Sequence, residues 1–177
     1  MRAVFDTCVL VPTFLRAVLL TCAETCNCEF IVSPRIIEEW ARVAKTPFQR
    51  LESEIAVAQF RQKFAIAIRP DPLSLVQFWL PDPDDIHILA LAVNQHADVI
   101  VTHNKKDFPP GELRSYGIER MDPDAFLRRL LKQHSAEVIS VVQPILAEVR
   151  NLHVGLSASD IWRKAWLPQF GRIIEKL

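Results

Sequence analysis

The sequence predicts an α/β fold: a three-layer α/β/α sandwich with a central parallel sheet, plus a C-terminal helical extension. Three observations lead there. Short β-type runs alternate with longer helical ones, a pattern that right-handed crossovers turn into a parallel sheet covered on both faces. One run, Ala97-Asp98-Val99-Ile100-Val101-Thr102, is of the near-continuous apolar kind used by strands buried on both faces. The chain has 177 residues, of which 50% are hydrophobic, 24% are charged and only 4 are glycine, the balance of one packed domain. From Ser135 onward only helical patterns occur, including Trp162, Trp166 and Phe170. The expected division is a domain over 1–134 and an extension over 135–177, packed on that domain or on a second subunit.

Arg2 to Asp6 reads as a short strand ending in an acid. A helix opened by Pro12 and running to about Thr25 follows, with Leu15, Val18, Leu19 and Cys22 at helical spacing. Glu29-Phe30-Ile31-Val32 is the second strand. Ser33 caps a helix begun by Pro34, and Ile36, Ile37, Trp40, Val43 and Ala44 form its apolar stripe. A third helix, from about Leu51 to Ala67, shows the same kind of apolar stripe. A brief strand is possible around Leu75 to Trp79, limited by Pro70, Pro72 and Pro81. Ile86 to Gln95 is apolar nearly all round and therefore a buried helix. Tyr116 to Met121 is a weaker last strand, and Asp122 or Pro123 starts a helix to about Gln133.

With 21 basic and 21 acidic side chains the net charge is zero, so a polyanion must be held by a local patch or a metal. The early Asp6 and Pro12 leave no signal-peptide hydrophobic region, and no uncharged apolar run reaches the roughly 18 to 20 residues of a membrane-spanning helix. A cytoplasmic protein without a membrane partner is expected. Cys22, Cys26 and Cys28 crowd together, lack a fourth ligand at a zinc spacing, and are expected to be reduced, structural thiols.

Ligands of open α/β sheets gather at the carboxyl ends of the strands, and there the sequence places acids. Asp6 ends the first strand, Glu38 and Glu39 follow the second, Asp85 opens the buried helix, and Asp107 follows Thr102. Converging carboxylates repel one another unless a hard divalent cation sits among them. Each acid also has a plain structural use. Asp6 could cap the next helix. In Asp82-Pro83-Asp84-Asp85 we assign Asp82 to the cap, Asp84 to solvent and Asp85 to the metal. On a helical wheel Glu39 lies about 110° and Glu38 about 150° from the centre of the apolar stripe. Glu38 and Arg42 then form an exposed pair, and a solvated face remains open for both glutamates. Asp107 stands in a polar loop. The histidines, His87, His96, His103, His134 and His153, have no paired ligand spacing and read as surface or satisfied core residues, with His103 closest to the proposed site.

Four segments together resemble the PIN-domain nucleases, and in particular the VapC-type toxins of bacterial toxin–antitoxin pairs. They are Val4-Phe5-Asp6-Thr7-Cys8-Val9-Leu10, Ser33-Pro34-Arg35-Ile36-Ile37-Glu38-Glu39-Trp40, Leu80-Pro81-Asp82-Pro83-Asp84-Asp85-Ile86-His87 and Ala97 through Phe108. The resemblance covers about residues 1–130 and implies a metal-dependent endoribonuclease. It implies catalytic acids at Asp6, Glu39, Asp85 and Asp107, with Mg2+ or Mn2+ held by Asp6, Asp85 and Asp107. Thr102, Asn104 and Thr7 are supporting candidates. Asn104 stands where many PIN nucleases carry an aspartate, which bears on how many ions are held. Arg35, Lys105, Lys106 and His103 are candidate RNA contacts. A cognate antitoxin and a homodimer, buried through helices such as the one around Leu51 to Ala67, are the further implied partners.

Two other classes remain open on the sequence. One is a magnesium-dependent phosphotransfer domain using Asp6, although Thr7 and Cys8 stand where its second acid would be. The other is a catalytically weak PIN-fold interaction module, favoured by Asn104 and the long tail.

Overall fold

Arg2–Phe5 (β1) has three consecutive buried residues, Ala3, Val4 and Phe5, as a strand in the middle of a sheet covered on both faces does. The computed structural model describes residues 1–152 and 155–177, so His153 lies outside the described residues. It places β1 between Glu29–Ile31 (β2) and Val99–Val101 (β3), with Glu119–Met121 (β4) beyond β3. The order is β2-β1-β3-β4 and every pairing is parallel, with Ala3 opposite both Phe30 and Val99. From β1 the chain steps to one side for β2 and then crosses over to β3 on the other. The crevice at the carboxyl ends of β1 and β3 is therefore a topological switch point.

Helices cover the sheet. After β1 come Thr7–Leu10 (α1) and Thr13–Thr25 (α2), then Pro34–Arg42 (α3) and Pro47–Lys63 (α4). Ile86–Asn94 (α5), Pro110–Ser115 (α6) and Pro123–Gln133 (α7) complete the part built on the sheet. Sequence chemistry sets their starts. Ser33 accepts from the Ile36 N–H ahead of Pro34, and Asp122 accepts from the Ala125 N–H ahead of Pro123. Thr46 and Gln49 form a reciprocal capping box at α4. Apart from the brief strand around Leu75 to Trp79, the strands and helices expected from the sequence are present, with boundaries moved by a few residues.

Four local expectations are corrected. The region around Leu75 to Trp79 is a turn, with Phe78 N–H donating to Leu75 C=O at 3.1 Å. The flanking prolines remove ladder donors, and Leu73 and Val76 stand in solvent rather than on a sheet face. The first crossover contains the extra helix α1, capped by Asp6, and α6 was not expected. The apolar stripe of α3 stops at Trp40, since Val43 at its carboxyl end is exposed. In α4 only Phe60 is buried, while Phe48, Leu51 and Ile55 face out.

Ser135–Leu152 (α8), Ala158–Lys164 (α9) and Pro168–Ile174 (α10) form the C-terminal part. Val138, Val142, Leu146, Trp162, Leu167 and Phe170 join the same apolar cluster as the sheet. Helix α8 lies on α2, and α10 lies on α7 and α9. Two details fix this packing. The buried Asp124 carboxylate on α7 accepts from the N–H groups of Gln169 and Phe170 at 3.0 and 2.9 Å, and from Arg128 at 2.9 Å. Gly171 lets α10 approach Trp162 so closely that an added Cβ would stand 2.1 Å from Trp162 Cγ. All four cysteines are free, and Cys22, Cys26 and Cys28 are buried in the core.

Candidate active site

Asp6 and Thr102 are the first residues beyond the paired ends of β1 and β3, where Phe5 faces Val101. Asp6 is only 6% exposed and Thr102 is fully buried. The Thr102 hydroxyl donates to Asp6 Oδ2 at 2.5 Å and the Cys8 thiol donates to the same oxygen at 3.0 Å. Asp6 also caps α1 by accepting from the Cys8 N–H at 3.4 Å. The structural and the functional readings of this residue are thus compatible, because a carboxylate has lone pairs enough for both. Burial, and then the adjacent Asp6 charge, push the Cys8 thiol up to about 12, so it is an S–H donor and not a thiolate at neutral pH.

The second part of the site comes from the Leu80 to His87 segment. Pro83–Asp85 forms a single tight helical turn capped by Asp82, whose Oδ1 accepts from the Asp84 N–H at 2.9 Å. Asp84 is exposed, as expected. Asp82 does more than the cap assigned to it, because capping occupies one oxygen and leaves the other free. Asp82, Asp85 and Asp107 each offer an oxygen, and these three lie within 4.8 Å of one another. Among the described residues this is the one cluster of three or more potential metal ligands, so the cysteine cluster does not form one. Burial raises the Asp85 carboxyl to about 7, helped by the negative charges of Asp6, Asp82 and Asp107 and opposed by His87.

Asn104 orders this cluster. Its Nδ2 donates to Asp85 Oδ2 at 2.8 Å, while its Oδ1 accepts from the Asp107 N–H at 3.4 Å. Its own N–H donates to Thr102 Oγ1 at 2.9 Å. One residue therefore ties the Asp85 and Asp107 branches together through its side chain and reaches Asp6 through its backbone N–H and Thr102.

Glu39 occupies a neighbouring position and is not part of the three-acid cluster. Thr7 Oγ1 donates to Glu39 Oε2 at 2.9 Å, and Arg35 Nε donates to Oε1 at 3.2 Å. His87 Nε2 lies 3.0 Å from the same Oε1. That nitrogen makes no aligned hydrogen bond, so the contact is an electrostatic one between a buried ring and a half-buried carboxylate. Burial pushes Glu39 up, but His87, Thr7 and Arg35 together outweigh it and hold the carboxyl below its usual range. Glu38 instead pairs with Arg42 at 3.0 Å on the exposed face.

His87 corrects the treatment of the histidines as surface or satisfied residues. It is buried, both ring nitrogens lack a hydrogen-bond partner, and it faces Glu39. Of the RNA-contact candidates, Arg35 is engaged by Glu39 and by the Asp84 carbonyl at 3.2 Å, and Lys105 lies 3.5 Å from Asp122. Lys106 is exposed, and the half-buried His103 packs on Trp166.

The donor set suits a hard divalent cation: carboxylate oxygens only, gathered closely enough to disfavour their joint ionisation. A family model described as the PIN domain matches residues 2–106, and the chain belongs to that family. Among curated proteins, it is 51% identical over 43 residues to "Putative ribonuclease VapC50" of Mycobacterium tuberculosis. That stretch is 24% of this chain and spans only 25% of the relative's length. No solved structure matches the chain at a significant level.

Proposed function

We propose that this protein is a Mg2+- or Mn2+-dependent endoribonuclease that hydrolyses RNA phosphodiester bonds, and that it is the toxin of a toxin–antitoxin pair. The observation that carries this reading is the gathering of Asp82, Asp85 and Asp107 beside Asp6 at the switch point of a PIN-domain sheet. The short but close similarity to a protein named "Putative ribonuclease VapC50" supports it.

Asp6, Asp85 and Asp107, joined by Asp82, would hold the ion. A bound divalent cation supplies positive charge that makes a water more acidic and offsets charge developing on the phosphate. The chain's own groups do the positioning. Thr102 and Cys8 fix Asp6 Oδ2, and Asn104 aims Asp85 and anchors the backbone at Asp107. Glu39, kept ionised by its three neighbours, would act as an acceptor that orients the attacking water. No side chain acts as nucleophile, and the protonated Cys8 fits that. Arg35, Lys105, Lys106 and His103 are the groups that would contact the RNA.

The domain over 1–134 would carry the chemistry, with 135–177 as its buttress. No described helix is long and apolar enough to cross a membrane. A second copy would cover Phe48, Leu51 and Ile55 on α4, and an antitoxin encoded nearby would silence the enzyme.

The test is cutting of single-stranded RNA by purified protein. Cleavage that requires magnesium and disappears in both Asp6→Asn and Asp85→Asn supports the proposal. Labelling of Asp6 by acyl phosphates would replace it with phosphotransfer. Tight partner binding without cleavage would make the chain an interaction module.

A further inference from the structure

We infer that Trp166, on the C-terminal part, and His103 form a stacking platform for an unpaired base of the RNA substrate. This rests on the ribonuclease reading and adds a substrate contact to it. Trp166 ends α9 in the left-handed backbone region, at φ 64°. Its N–H donates to Arg163 C=O at 3.1 Å and the following Leu167 N–H to Trp162 C=O at 2.9 Å. This helix-terminating turn normally carries glycine, and any Cβ there is strained. Packing does not account for a tryptophan at this point, since its side chain is 65% exposed while Trp162 and Phe170 on either side are buried. A strained backbone that presents a large aromatic to solvent points to a contact outside the fold.

The location says what that contact is. The Trp166 and His103 rings lie 4.9 Å apart and are tilted by 52°. His103 stands between Thr102 and Asn104, and its N–H donates to Cys8 Sγ at 3.3 Å, so the platform is continuous with the acidic site. The adjoining cleft, about 260 Å³, is smaller than a drug-sized pocket and suits a single base. Lys105 and Arg128 flank it, paired with Asp122 and Asp124. The exposed Lys105 pair, at 3.5 Å, is loose enough for a phosphate to compete with Asp122. An aromatic face beside a cation, next to the proposed chemistry, is the arrangement on which single-stranded nucleic acids stack.

The experiment compares wild type with Trp166→Gly and Trp166→Phe in KM and kcat on a single-stranded RNA oligonucleotide with magnesium, alongside thermal stability. Glycine relieves the backbone strain, so the fold should be at least as stable. KM should nevertheless rise about 5- to 150-fold with kcat little changed, and phenylalanine should restore most of the affinity. One abasic substitution near the cut should weaken wild type to the level of Trp166→Gly and leave that variant unaffected. If wild type cuts RNA and Trp166→Gly has an unchanged KM, the platform alone is overturned. If wild type neither binds nor cuts the oligonucleotide, the ribonuclease reading falls and takes the platform with it.

Discussion

Asn104 donates its amide to Asp85 at 2.8 Å while its carbonyl receives the Asp107 N–H, so a neutral side chain spaces two acids that repel each other. An aspartate there would lose the donor and add a further negative charge to a group already raised to about 7. Asn104→Asp should therefore lower ion-free stability by about 1–2 kcal/mol. It should also increase the stabilisation that magnesium gives. Thermal denaturation with chelator and with millimolar magnesium reads both effects, and equal melting curves for the two proteins would count against this role.

The Asp85 shift sets a pH dependence for the ion-free protein. Its folded value, about 7, lies above its ordinary value of 3.8, so between these the folded state binds more protons than the unfolded. Stability from this group is fully present below about pH 4 and is lost as pH rises through 7. Asp85→Asn should remove that slope and leave the variant more stable than wild type at pH 8. The difference should be about 1–2 kcal/mol, less than the full shift implies because the carboxyl is partly solvated. Urea denaturation from pH 5 to 8 measures it.

The C-terminal part should depend on a single carboxylate. Asp124→Ala leaves the Gln169 and Phe170 N–H groups without their acceptor, at a cost of about 2–4 kcal/mol. Gly171→Ala drives a methyl into Trp162 and should cost about 2–3 kcal/mol. Both should make the chain after α7 easier to cleave by protease. Unchanged resistance would mean that α10 is held by something other than this cap and this close approach.

The strands and most helices were legible because their signals are local: Ser33 before Pro34, Asp122 before Pro123, and the unbroken Val99-Ile100-Val101 run. The turn around Leu75 to Trp79 was ambiguous because apolar residues there suggest a strand, while the proline spacing that forbids pairing is a weaker cue. The site was half legible. Acids after strands can be read along the chain, and Glu39 separates from Glu38 on a helical wheel. What Asp82 does with its second oxygen, and that His87 turns inward toward Glu39, depend on how α5 leaves its turn and meets α3. No linear spacing encodes that meeting. Trp166 escaped for a similar reason, since only the backbone shows that it sits where glycine would be easiest.

Isothermal titration of magnesium into the ion-free protein tests most directly whether the acids form one site. The account predicts saturable binding that weakens as pH falls below 7, as Asp85 takes up a proton, and that is lost in Asp85→Asn. Absence of magnesium or manganese binding by the folded wild type, or equal binding by Asp85→Asn, would contradict it.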